Sequence, residues 1–363
     1  EQLSIDLQYD ANRLNEAKAT SIASYFKELI CSNSAIDDSP HDHSLTSVMQ
    51  NIPDDSYKNI GTLIFERINQ HPENMALRQY QRSINYGEFG KYCRLWMKLL
   101  NEQNFKTGDN VALILTQGFE QITASIAIIL MGGFVAQLDS KSPPKRQQYC
   151  INKCNAKIVI SKDHVSKEGS YSGVTIADFE HQLLTFDEHI NFDTNLINTE
   201  NGGALVFTSG STGKPHCVVL SQKNLSSFTQ DAIDTYQINA SDVMLQFTSP
   251  GFDAFYEEVL PTLAVGATLV PKPSDLTTDS EQFETFLSEN RVSIVSLPTA
   301  FWHAWVSQIS MNTPVYDDQS LPLLTRVIVG GEVMSVEKVS IWQTHKPDRI
   351  QLLNTYGPSE ASV

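Results

Sequence analysis

The sequence predicts an α/β fold with mostly parallel sheets flanked by helices. Three observations carry this. Short apolar runs such as "NVALILT" (110–116) and "AKIVIS" (156–161) show no polar alternation, the pattern of strands covered on both faces of a parallel sheet. Segments with apolar residues at helical spacing separate such runs, as strand–helix–strand crossovers require. A length of 363 residues exceeds one compact core, so two or more units are expected.

Taken in order, "LSIDLQYD" alternates like a strand, and Ala17 to Ile30 carries Ile22, Phe26, Leu29 and Ile30 at helical spacing. The polar stretch "SNSAIDDSPHDHSLTS" then reads as a linker, which we place at 36–55. The main unit is expected over 56–363. Asn59 to Gln70 is predicted helical, with Ile60, Leu63, Ile64 and Ile68 on one side. "MALRQY" and "RSINYGEF" are strand candidates, and Tyr86 to Asn101 is an amphipathic helix. After "NVALILT" come a helix over 119–132, the strand "FVAQLD", a helix over 144–155 and the strand "AKIVIS". "NGGALVFTSG" is a strand running into a Gly/Ser/Thr loop, and "SQKNLSSFTQDAIDTYQ" a helix with Ser221 as its N-cap. "DVMLQFTS", "GATLVPK", "VSIVSLP" and "RVIVGG" are further strands with helices between them. "RIQLLNTYGPSEASV" is a strand followed by a Gly-Pro turn.

Composition excludes several functions. A net charge of −16 with no Lys/Arg cluster repels nucleic acid and anionic lipid. The longest apolar stretch, "ITASIAIILMGGFVAQL", is interrupted by Thr, Ser, Gly and Gln, and reads as a buried helix leading into a buried strand, not a membrane span. The N-terminus lacks the basic start and apolar core of a signal peptide. Five cysteines with no CxxC pair, and nine scattered histidines with no HExxH, argue for a reduced, cytoplasmic protein without structural zinc. Cys150 and Cys154 share one helix face and read as core thiols.

The stretch "LVFTSGSTGKPHCVV" (205–219) is the chemical signal. A Gly/Ser/Thr loop after a strand offers N–H groups and hydroxyls to phosphate oxygens, although a mobile surface loop has the same composition. It is not a Walker A loop: Pro215 follows Gly213-Lys214, and Thr208 stands where the first glycine belongs. GxGxxG does not fit either.

"FTSGSTGKP" closely resembles the phosphate loop of the adenylate-forming enzymes: acyl-CoA ligases, luciferases and the adenylation domains of nonribosomal peptide synthetases. "GGFVAQLDSKSPPKR", "GFDAFYEEV", "VIVGGE" and "NTYGPSE" follow the order of the peptide-synthetase motifs. The resemblance spans roughly 230 residues, and it identifies the main unit with the large, N-terminal subdomain of an adenylation domain. Residues 1–35 resemble the C-terminal end of a condensation domain. The small subdomain, which in the family carries the catalytic lysine, and the thiolation domain are expected to be absent. The chain alone is therefore expected to bind and activate substrate poorly.

The resemblance implies ATP and Mg²⁺ as partners in catalysis, an amino acid as substrate, and transfer to phosphopantetheine on a thiolation domain, with a condensation domain as neighbour. Thr208, Ser209, Gly210, Ser211, Thr212, Gly213 and Lys214 would hold the phosphates, with Thr208 and Thr212 catalytic. Glu360 would be both catalytic and the Mg²⁺ ligand, a carboxylate beside phosphate oxygens as Mg²⁺ prefers. Gly331, Glu332, Asn354, Tyr356 and Gly357 would meet the nucleotide, although "NTYGPSE" alone also reads as a turn after an edge strand. Asp253 would pair with the substrate ammonium, the alternative being a helix-terminal aspartate favoured by the dipole.

By position, the substrate pocket falls on Asp253, Ala254, Glu257, Ser296, Ile328, Gly330, Thr355 and Val363. Glu257 is the one charged residue there beside Asp253, and a buried carboxylate needs a cation. The lining resembles that of lysine-activating domains, so a basic amino acid is expected, lysine before ornithine. Alternatively Glu257 points to solvent or pairs with an Arg or Lys. Three positions depart from the family: His216 and Cys217 after the loop, and Gln137 in place of a proline. They bear on loop rigidity and nucleotide affinity. An acyl- or aryl-CoA ligase and a non-catalytic adenylate-fold binding module remain as other readings.

Overall fold

The computed structural model describes residues 58–163, 171–186, 202–208, 215–276, 279–312 and 321–359, with no side chains described at 310–312. All of them lie in one compact unit that begins at Tyr57. The expected condensation-like tail and linker (1–55) lie outside the described residues.

The first sheet takes its strands from both ends of the unit. It contains β1 (Met75–Gln79), β2 (Arg82–Asn85), β9 (Val243–Gln246), β10 (Thr268–Pro271), β11 (Ile294–Pro298), β12 (Arg326–Gly330) and β13 (Gln351–Asn354). Their order is β13-β12-β11-β9-β10-β1-β2, parallel throughout except for the β1–β2 hairpin. The second sheet contains β3 (Asn110–Ile114), β4 (Phe134–Gln137), β5 (Ile158–Ser161), β6 (Ser172–Thr175), β7 (Gly203–Thr208) and β8 (His216–Ser221). Its order is β6-β5-β3-β4-β7-β8, parallel except at β7–β8.

Ten helices are described. They are α1 (Ile60–Gln70), α2 (Tyr86–Glu102), α3 (Phe119–Leu130), α4 (Pro144–Lys153), α5 (Ile176–Leu183), α6 (Gln222–Tyr236), α7 (Ala254–Val265), α8 (Ser280–Glu289), α9 (Thr299–Asn312) and α10 (Val336–His345). The predicted α/β class holds, most boundaries shifting by one or two residues, while the strand candidates at 82–89 and 242–249 end early, at Asn85 and Gln246. Local chemistry sets several of these ends. The Asn59 side chain accepts from Gly61 N and Thr62 N, so α1 starts one residue later than periodicity suggests. Asn85 and Glu88 form a capping box, which ends β2 and starts α2. Ser221 caps α6 as expected, reciprocally with Asn224.

The central core joins the two sheets. It gathers side chains of α1, α2, α3, α6 and α7 with residues of both sheets, among them Leu77, Leu113, Val206 and Leu269. Nearly every residue of α3 is buried, as its unbroken apolar composition foretold. A second cluster packs α8, α9 and α10 on the first sheet around Trp302, Trp305 and Trp342. A third packs α4 on the second sheet. Cys150 and Cys154 are buried members of that third cluster, and Cys217 packs against it.

Three elements escape the sequence reading. β6 and α5 are short, and β8 overlaps the stretch that looks like loop. β8 pairs antiparallel with β7, Thr208 opposite His216 and Phe207 opposite Cys217. The departures His216 and Cys217 therefore sit in a strand. Gly203 permits the pairing: its φ is +142° and an added Cβ would lie 2.0 Å from the Leu220 carbonyl oxygen. The departure at Gln137 is also accommodated. Its buried amide donates to Ser125 Oγ at 2.6 Å, joining β4 to α3.

Candidate active site

The C-terminal ends of parallel strands carry the site, as expected for open α/β sheets. Strands β9, β11, β12 and β13 run into Phe247–Phe252, Pro298–Ala300, Gly330–Glu332 and Thr355–Gly357. These segments, with Phe228 and Tyr236 of α6 and Ala254 and Glu257 of α7, enclose a cavity of about 620 Å³. Of the expected pocket residues, Asp253, Ala254, Glu257, Ser296, Gly330 and Thr355 line this cavity. Ile328 is fully buried beside it, paired in register with Ser296. Val363 lies outside the described residues.

Of the expected nucleotide contacts, Gly331, Glu332, Tyr356 and Gly357 line the same cavity, and Asn354 is exposed at the end of β13. Tyr356 is 95% exposed, so its ring face is available for stacking on a flat base. Gly331 has φ +96° and nothing within 4 Å of where a Cβ would be. Ser209, Gly210, Ser211, Thr212, Gly213, Lys214 and Glu360 lie outside the described residues. Thr208, at the end of β7, lines a neighbouring cavity of about 660 Å³ with Arg146 and Ser359. The two cavities share Ser249, Phe252 and Asp253.

Asp253 stands at that junction. Its Oδ1 accepts from Ala254 N at 2.8 Å, capping α7, and its Oδ2 accepts a short hydrogen bond from Ser359 Oγ. The residue thus caps a helix, as weighed from sequence, and also lines both cavities.

The Glu257 carboxylate is 5% exposed. Oε1 accepts a short bond from the Tyr236 hydroxyl, and Oε2 accepts from Ser296 Oγ at 3.2 Å. It makes no ion pair among the described residues. Burial raises its pKa above the usual carboxylate value; the two hydroxyl donors oppose that and Asp253 adds to it. Glu258, next along the helix, points the other way and is completely buried. It accepts from Thr248 N at 3.0 Å, Thr248 Oγ1 at 2.9 Å and Gln246 Nε2 at 3.1 Å, tying α7 to the loop after β9. Burial pushes its pKa up to about 8 against those bonds.

Sequence reasoning passed over Tyr236 and Lys272. Lys272 follows β10 and lines the same cavity, its ammonium 4.0 Å from the centroid of the Phe247 ring. Burial lowers its pKa, while the charge of Glu258 raises it. A lone lysine after a Pro and an aromatic at a helix end carry no motif, so only the three-dimensional arrangement brings them in. Among the described residues no group of three or more His, Cys, Asp or Glu side chains could hold a metal ion. No helix there is long and apolar enough to cross a membrane.

Known proteins share this fold. Solved structures share the fold: the Klebsiella oxytoca NpsA N-terminal subdomain in complex with 3-hydroxybenzoyl-AMSN superposes with a TM-score of 0.73 at 20% identity, covering 84% of this chain and 74% of that one. Among curated proteins, isonitrile lipopeptide synthase of Streptomyces coeruleorubidus is 30% identical over 303 residues, 83% of this chain and 20% of its own length. Tyrocidine synthase 1 of Brevibacillus parabrevis is 28% identical over 312 residues, 84% of this chain and 27% of its own. Gramicidin S synthase 2 of Brevibacillus brevis is 25% identical over 325 residues, 88% of this chain and 7% of its own. The chain therefore spans between 7% and 27% of the length of these relatives. The family description "AMP-binding enzyme" matches residues 64–363, five-sixths of the sequence, and on that match the chain belongs to the AMP-binding enzymes.

Proposed function

We propose that this chain is the large subdomain of an amino-acid-activating adenylation domain of a nonribosomal peptide synthetase, selective for a basic side chain. It joins the substrate carboxylate to the α-phosphate of ATP, releasing pyrophosphate, before transfer to a carrier-domain phosphopantetheine. The observation that carries the reading is a buried carboxylate with no ion pair among the described residues, Glu257, lining a cavity that also holds Asp253 and the exposed ring of Tyr356.

The division of labour follows from charge. Asp253 supplies a carboxylate for the substrate ammonium, which an acid lacking an amine would leave unpaired. Glu257 lies one helical turn further on, where an ω-ammonium would supply the direct counter-charge that this carboxylate lacks among the described residues. Lysine and ornithine are the substrates this chemistry favours, lysine first. Tyr356 and the small residues Gly331 and Gly357 suit a nucleotide base stacked on an open backbone. Thr208 and Ser359 offer hydroxyls on the other side of Asp253, where charge would develop on the phosphoryl oxygens as the carboxylate attacks. Mg²⁺, carried over to Glu360, would neutralise phosphate charge when bound.

Amino-acid-dependent pyrophosphate exchange by the full-length protein tests this. Lysine or ornithine should head a panel of amino acids, benzoate and hydroxybenzoate should be inactive, and Glu257→Gln should abolish the preference for a basic side chain. Preference for a neutral or acidic amino acid refutes the substrate class, and activity with an acid that lacks an amine refutes amino-acid activation.

A further inference from the structure

We infer that Tyr236 is a specificity-positioning residue: its phenol holds the Glu257 carboxylate in place and charged, so that the pocket selects an ω-ammonium over an uncharged side chain of the same length. The inference rests on the amino-acid-activation reading and names a residue which that reading does not contain.

Glu257 receives one hydroxyl donor on each oxygen, Tyr236 on Oε1 and Ser296 on Oε2. Donors to a carboxylate stabilise its ionised form and oppose the burial that favours the neutral acid. Tyr236 is the shorter of the two bonds, and burial together with the charge of Glu257 keeps the phenol protonated and therefore a donor. Other charged groups face the same space. Asp253 at the start of α7 disfavours a second negative charge, Glu258 lies on the same helix, and Lys272 lines the cavity from β10. None of them forms an ion pair with Glu257. Holding the carboxylate ionised thus falls to the two hydroxyls until a cation arrives.

The phenol is itself held from a neighbouring strand. Helix α6 ends at Tyr236, and Gln237 turns left-handed at φ 52°. The Arg326 guanidinium of β12 donates to the Tyr236 carbonyl at 2.8 Å and the Gln237 carbonyl at 2.6 Å, capping the helix with a cation. The same guanidinium pairs with Asp242 at 2.5 Å, and both side chains are nearly buried, at 11% and 6% exposure. Asp242 in turn accepts from Asn239 N, Asn239 Nδ2 and Ser293 Oγ. A planar fork serving two carbonyls and a carboxylate leaves the helix end little freedom. The phenol therefore meets Glu257 at a place set by β12.

The test is Tyr236→Phe in the full-length protein, read by pyrophosphate exchange with L-lysine and with 6-hydroxy-L-norleucine, its uncharged analogue. Loss of the donor leaves Glu257 more readily protonated. The lysine KM should rise about tenfold at pH 7.5, the equivalent of one pKa unit. The rise should shrink below about threefold at pH 9.5, where the carboxylate ionises without help. The 6-hydroxynorleucine KM should change less than about threefold at either pH, because no ionised partner is needed. An unchanged lysine KM, or equal rises for both substrates at both pH values, overturns the inference, since lost packing alone would act on both. The KM for ATP reports whether the site remains folded. If Tyr236→Phe loses ATP binding, Arg326→Lys carries the test, with the same lysine-selective rise expected at about threefold because an ammonium cannot serve as the fork; a loss uniform across both substrates then overturns it. A wild-type protein that activates neither lysine nor ornithine fails the basic-substrate reading itself, which the wild-type panel detects before any variant is made.

Discussion

Ser359 Oγ donates to Asp253 Oδ2 across 106 residues of sequence. The bond links the turn after β13 to the start of α7 at the point where the two cavities meet. An aspartate that already accepts from its own helix gains a second donor, so both carboxylate oxygens are held in place.

Asp253→Asn should separate helix capping from the proposed pairing with the substrate ammonium. Asparagine caps helices about as well as aspartate, so the melting temperature should stay within about 2 °C. Amino-acid-dependent pyrophosphate exchange by the full-length protein should fall by about 100-fold or more, since the variant leaves the substrate ammonium without its counter-charge. A large drop in melting temperature with intact exchange would assign the residue to folding alone.

Gly330→Ala should close the pocket. An added Cβ would lie 2.5 Å from Thr355 Oγ1 and 3.4 Å from the Thr355 carbonyl oxygen. The Thr355 side chain must rotate into the cavity or the β13 end must move away. Overpacking of this kind costs about 1–3 kcal/mol, measurable by urea denaturation. The KM for the amino acid should rise more than the KM for ATP if Thr355 serves the substrate side of the cavity it lines, as proposed.

Glu258 should make stability depend on pH. Burial raises its folded value from 4.5 to about 8. A carboxyl with a raised folded pKa contributes stability that is complete below the unfolded value and is lost as pH rises toward the folded one. The wild-type melting temperature should therefore decline between about pH 5 and pH 8 by more than that of Glu258→Gln. At pH 5 the variant should already be less stable by about 1–3 kcal/mol, because its NH2 group meets the Gln246 Nε2 donor where a carboxyl oxygen accepts.

Gly203→Ala tests the β7–β8 pairing. Its Cβ would strike the Leu220 backbone, and its φ of +142° strains any other residue. Neither backbone can yield without breaking the ladder that places Thr208 opposite His216. The expected cost exceeds about 3 kcal/mol, read as a lower denaturation midpoint.

The ladder also explains where the sequence was hard to read. Cys217, Val218 and Val219 follow a glycine-rich stretch, and their apolar character is shared between a loop's end and an edge strand. Only pairing with Phe207, Val206 and Leu205 decides for the strand. β6 and α5 were missed for a related reason. Each is short, and their burial centres on a few residues such as Val174 and Phe179, too few for a periodic signal. The long elements were legible because their patterns answer to packing on whole faces. α3 is apolar all round and buried all round, and β3 and β5 are apolar runs covered on both sides.

Sequence by itself determined the α/β class, most of the elements, the order of the motifs and the residues that gather at the ends of β9, β11, β12 and β13. Those features depend on residue type along the chain, where apolar spacing, caps and Gly-rich turns act locally. The tertiary structure decided who partners whom. Asp253 meets Ser359, Glu258 turns away from the cavity to hold Thr248, Lys272 lies over Phe247, and Glu257 takes its hydrogen bonds from Tyr236 and Ser296 and makes no ion pair among the described residues. Successive residues on a helix point about 100° apart, so Glu257 and Glu258 are chemically alike in sequence and opposite in fate. Only the packing of α7 against α6 and β9 tells which of them faces the cavity.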